Sequence, residues 1–117
     1  MMKRLAVALL TLLLAGPAIA QTVAQTTNSS VAIATGNTFQ TVLTAVTSNS
    51  QRRSLTIQNN NASDSCWLFI GAGSATKGTA ILLASGQAYT RYSPYIPTDA
   101  IQATCATTAD TLYIDNQ

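Results

Sequence analysis

Cys66 and Cys105 are the residues of this chain best suited to covalent chemistry, and the chain has no histidine to work beside them. A catalytic thiolate needs a neighbouring base, and a two-cysteine zinc site draws its other ligands from histidine or further cysteine. With neither on hand, the two are expected to pair as one disulfide. The remaining reactive groups are as sparse. Glutamate is absent, and the aspartates are Asp64, Asp99, Asp110 and Asp115. None lies within an apolar run of the kind that tunes a carboxylate for proton transfer. Serine and threonine hydroxyls are plentiful, but no imidazole is available to activate one. The inventory argues against an enzyme.

Binding chemistry is better supplied. Asp110, Asp115 and Asn116 carry oxygens that suit calcium, yet they read as turn and terminal residues, so no metal or other cofactor is expected. Gly71-Ala72-Gly73 lacks the following helix that a phosphate cradle uses, and reads as a turn. Asn28-Ser29-Ser30 and Asn61-Ala62-Ser63 match the glycosylation sequon, which in a chain of bacterial character means little. Arg52-Arg53 is a charge pair just before an apolar alternation, either guarding a sheet edge or meeting an acidic partner. Tyr89, Arg91, Tyr92 and Tyr95 form an aromatic cluster with a cation among them, a composition typical of surfaces that recognise sugar rings or protein. These six residues are the candidate interaction surface.

Where these groups act follows from the first twenty residues. Met1-Met2-Lys3-Arg4 is a positive start, Leu5 to Ala15 is almost wholly apolar, and Ala18-Ile19-Ala20 has the small-x-small pattern of a cleavage site. Residues 1–20 are expected to be a signal peptide, placing the mature chain in the periplasm, at the cell surface or outside. The apolar stretch falls short of the roughly twenty residues of a comfortable span, which disfavours a retained anchor. The chain carries six basic and four acidic side chains. Losing Lys3 and Arg4 leaves four against four, a net charge of zero, which removes any electrostatic case for nucleic acid. An exported chain also favours the disulfide over free thiols.

The elements that must position these groups are short and β-like. After a polar stretch over 21–30, read as a flexible arm, alternating β-branched runs recur between Gly, Asn and Ser turns. Strands are expected at Val31–Thr35, Phe39–Val46, Ser54–Gln58, Cys66–Ile70, Ala80–Leu83, Gln87–Tyr92, Ile101–Cys105 and Thr111–Ile114. Cys66–Ile70 is apolar on both faces, as in a central strand. Asn59 to Asp64 reads as a loop, and Ser93 to Pro97 as an extended segment without ladder bonds. Seven or eight short strands over 31–117 predict one small antiparallel β-sandwich, jelly-roll or Ig-like. Cys66 shares its face with Leu68 and Ile70, and Cys105 shares its face with Ile101 and Ala103. Both sulfurs therefore aim at the core, and the bridge joins either two sheets or two neighbouring strands.

Arg52-Arg53-Ser54-Leu55-Thr56-Ile57-Gln58-Asn59, Trp67 to Gly71, Leu82-Leu83 with Gly86, Ile96-Pro97, and Ile101 to Ile114 follow one another from residue 52 onward. In this succession the chain resembles small β-rich accessory or decoration-type proteins of tailed phages and prophages. It implies a structural role in a virion or related assembly, through contact with a protein partner or with copies of itself. The leader departs from that class, whose ordinary capsid parts assemble in the cytoplasm. A periplasmic or cell-surface carbohydrate-binding or adhesin-like module is the alternative, with glycan as ligand. Intact-mass analysis of natively produced protein should give residues 21–117 less two hydrogens. A full-length mass or two free thiols would refute this reading of the leader and the cysteines.

Overall fold

The computed structural model describes residues 27–47 and 52–117. The expected signal peptide and the first part of the expected arm lie outside the described residues. Eight strands follow in order: β1 (Thr27–Ala32), β2 (Gln40–Leu43), β3 (Ser54–Asn59), β4 (Cys66–Ile70), β5 (Ile81–Leu83), β6 (Ala88–Tyr92), β7 (Ile101–Cys105) and β8 (Thr111–Asn116). One short 3-10 turn, Lys77–Thr79, precedes β5.

All pairings are antiparallel. They build one sheet of order β1-β8-β3-β6 and a second of order β2-β7-β4-β5. That interleaving is the eight-stranded jelly roll of two Greek keys rather than the Ig arrangement. The strand period of two explains the core. Leu55, Ile57, Leu112 and Ile114 from the first sheet meet Leu68, Leu83, Ile101 and Ala103 from the second, all buried. Ile33 and Ile96 enter the same cluster from connecting segments. As expected, β4 is an interior strand, with Trp67 and Phe69 half-buried on its outer face.

Two expectations are corrected. The arm over 21–30 was to end at Ser30, but Thr27–Ala32 pairs along its whole length with β8, from Thr27↔Asn116 to Ala32↔Thr111. An edge strand exposed to water needs ladder bonds more than apolar side chains, so its polar residues give little hint of it. Ser93–Pro97 is not simply extended. A turn forms there, closed by the Tyr95 amide donating to the Tyr92 carbonyl at 3.0 Å, before Ile96 enters the core.

The disulfide joins Cys66 and Cys105. They face each other across β4 and β7, so the bond ties neighbouring strands of one sheet. Both cysteines are fully buried. Nearby, the β1–β2 turn is pressed onto the β7–β8 turn: a Cβ on Gly36 would lie 2.9 Å from the Ala106 carbonyl oxygen. Asn37, at φ 61°, donates from its side chain to that same carbonyl at 3.0 Å.

The sulfurs stand 39 residues apart in sequence, for which chain entropy gives roughly 4 kcal/mol of stabilisation. Reduction should lower the thermal midpoint by roughly 15–30 °C for a domain of this size. A midpoint unchanged by reductant in calorimetry would remove the bond from the account of stability.

Candidate functional site

The six candidate residues divide into scaffold and surface. Arg52 is scaffold: it is 1 % exposed. Its Nη1 donates to the carbonyls of Pro97 at 2.6 Å and Asp99 at 3.4 Å, and its Nη2 to that of Thr44 at 2.6 Å. Those carbonyls follow β2 and precede β7, so the residue leading into β3 of the first sheet grips the end of the second. Desolvation lowers its pKa from the usual arginine value, and Nε has no hydrogen-bond partner. The reading of Arg52 as an interaction residue is therefore corrected. Carbonyl dipoles that no local pattern foretells draw it inward. Arg53, the next residue, is exposed.

Tyr89 is half-buried against the core. Register explains this, since Tyr89 lies opposite Ile57 and Arg91 opposite Leu55, on the inward side of the edge strand β6. Beyond the cover of the second sheet, the Arg91 guanidinium lies 4.6 Å from the centre of the Tyr89 ring and its Nη1 donates to the Thr90 carbonyl at 3.2 Å. Arg91 is exposed. Tyr92 and Tyr95 are 68 % and 81 % exposed. Thr90, Arg91, Tyr92, Ser93 and Tyr95 line an open hollow of about 490 Å³. Its floor is well anchored: β6 pairs with β3, the Ser93 amide donates to the Arg53 carbonyl at 3.1 Å, and Ile96 is buried just beyond Tyr95. Arg91, Tyr92 and Tyr95 thus come together at one corner, with Arg53 adjoining, while Arg52 and Tyr89 support it from within.

Several residues escaped the sequence reading. Asn59, expected in a loop, ends β3 and is fully buried. Its Nδ2 donates to the carbonyls of Asp64 at 2.7 Å and Leu83 at 3.0 Å. Its Oδ1 accepts from the Asn61 amide and side chain at 3.0 and 2.7 Å. Asn61 Oδ1 in turn accepts from the Thr111 amide at 2.9 Å, and its Nδ2 lies 3.4 Å from Cys66 Sγ. Runs of Asn usually mark turns; here two of them fill a buried polar end of the sandwich.

The outer face of the second sheet holds another feature. Ser74-Ala75-Thr76-Lys77 has the Ser-x-x-Lys spacing of a lysine-activated serine, which the inventory argument passes over. The Lys77 ammonium instead lies 3.8 Å over the Trp67 ring and donates to Asn37 Oδ1 at 2.5 Å. Neither contact involves Ser74. Beside it on the edge strand, Leu82 is 54 % exposed. Asp110 Oδ2 accepts from the Thr107 amide at 3.1 Å, which accounts for it as a turn cap.

Among the described residues, no helix is long and apolar enough to cross a membrane, and no group of three or more His, Cys, Asp or Glu gathers as a metal site. Comparison with protein-family models, with curated proteins and with solved structures found no match.

The two arginines make an internal control. Arg52→Met should cost about 2–4 kcal/mol by leaving buried carbonyls unpaired, against roughly 0.5 kcal/mol or less for Arg53→Gln. Chemical denaturation reads both. Equal effects would show that Arg52 is not the latch described.

Proposed function

We propose that this chain is a non-enzymatic, exported structural or surface-interaction protein, of the kind that decorates or completes a virion or related assembly. The observation that carries the reading is the division of labour in the jelly roll. Groups with reactive potential are engaged in the scaffold: the cysteines are bonded to each other, Asp110 caps a turn, and Lys77 rests on Trp67. The two most exposed large hydrophobic side chains, Tyr92 and Tyr95, by contrast stand together at one anchored corner. Eight-stranded jelly rolls recur in viral capsid and lectin domains, an analogy at the level of fold that agrees with the resemblance of residues 52–114 to phage accessory proteins. The leader adds export, so the assembly in question is one reached from outside the cytoplasm.

Tyr92 and Tyr95 favour a second reading, a periplasmic or cell-surface carbohydrate-binding module. Two tyrosines at such exposure hold apolar rings in water for no gain to the fold, and stacking a sugar on them would recover that cost.

Quantitative mass spectrometry of cell-envelope fractions and density-purified particles separates the readings. Enrichment in particles is the expected result. Confinement to the envelope with none in particles would overturn the virion role and put the carbohydrate module first.

A further inference from the structure

We propose that the hollow beside β6 binds acidic saccharides, with a sugar ring against Tyr92 and Tyr95 and its carboxylate on Arg91. The proposal rests on the carbohydrate-binding reading above and adds the class of ligand.

The argument begins with how Arg91 is held. An exposed arginine ordinarily spreads over many rotamers, and a ligand must meet the entropy of fixing it. Here the guanidinium is already seated between the Tyr89 ring at 4.6 Å and the Thr90 carbonyl at 3.2 Å. Neither of these contacts is an anion, so they position the positive charge without themselves neutralising it. A guanidinium carries five N–H donors, and the Thr90 bond engages Nη1 alone. The rest suit a planar carboxylate, which arginine takes through paired bonds.

A second cation strengthens the bias. The Ser93 amide donates to the Arg53 carbonyl, and Leu55 faces Arg91. Arg53, which is exposed, therefore adjoins the Ser93 side of the hollow. The five residues lining the hollow include a cation and no carboxylate. The remaining lining fits a sugar: two broad aromatic faces for the apolar side of a pyranose, and the Thr90 and Ser93 hydroxyls for its polar rim. The hollow is shallow and open, which suits a ring lying flat along a chain of sugars rather than an enclosed small molecule.

Titration calorimetry on the mature, oxidised protein tests this with tetragalacturonate, neutral maltotetraose and a tetraglutamate peptide as probes. Tetragalacturonate is expected to bind at least about tenfold more tightly than either other probe, with the margin shrinking as salt rises. Arg91→Gln should abolish the margin, and Arg91→Lys should restore part of it. Tyr95→Ala, at the most exposed position of the corner, should weaken binding without lowering the thermal midpoint, which keeps the test valid if an Arg91 variant folds poorly. Equal affinity for acidic and neutral sugars would overturn the acidic class and leave the carbohydrate reading standing. Equal affinity for tetraglutamate would reduce the site to charge alone and overturn the proposal. Binding of none of the three would overturn both.

Discussion

The sandwich depends on how the central strand β3 is fixed at its two ends. No backbone ladder connects one sheet to the other, and apolar contact between them is non-directional, so sliding must be opposed by side chains that bond across the gap. Arg52 does this before the strand begins, by reaching the carbonyls of Thr44 and Pro97. Asn59 does it at the last residue of the strand, by reaching the carbonyl of Leu83. Between them, Leu55 and Ile57 supply the apolar contact. Both latches are buried, where a polar group without a partner is costly. Displacing β3 along its axis would break both at once, so they define position where packing alone supplies only cohesion.

The octapeptide from Arg52 to Asn59 is therefore a strand with its two fastenings. That gives a physical reason for its residue types, independent of any ligand: a planar multi-donor cation at one end, an amide that both donates and accepts at the other. The Asn59 end continues through Asn61 to Thr111 and to the sulfur of Cys66. There one hydrogen-bonded cluster touches both sheets and the covalent link within the second. Arg91 and Tyr89 extend the same logic to the surface, where a half-buried ring holds an exposed charge in place.

Much of the fold was legible because strand parity is a local property. The alternation in Ser54–Gln58, Ile101–Cys105 and Thr111–Ile114 placed Leu55, Ile57, Ile101, Leu112 and Ile114 on the correct side, and the cysteines shared that side. The same parity in Gln87–Tyr92 sets Tyr92 on the opposite face from Tyr89 and Arg91. What stayed hidden depends on distant partners. Arg52 and Arg53 are identical by type and adjacent, and what separates them is distant carbonyls, among them that of Pro97, 45 residues away in sequence. Asn59 looks like a turn residue until the Leu83 carbonyl arrives 24 residues later. The edge strand β1 lacked an apolar signal because its pairing with β8 asks little of side chains. Of the candidate site, the exposed tyrosines were visible as a cluster, while the seating of Arg91 required coordinates.

Strand order carries one further consequence, and it concerns time. Of the six pairings, β4 with β5 alone joins strands consecutive in sequence; β1 waits for β8, and β2 waits for β7. Such non-local topology folds slowly, on the order of milliseconds to seconds, because long loops must close before any contact rewards them. Neither sheet can be completed until its late strand has emerged, so the nascent chain has no early stopping point at which to become compact. For the exported chain proposed above, which would be threaded through a membrane before it folds, this reluctance would be an asset: the chain would stay pliable until its last quarter had been made.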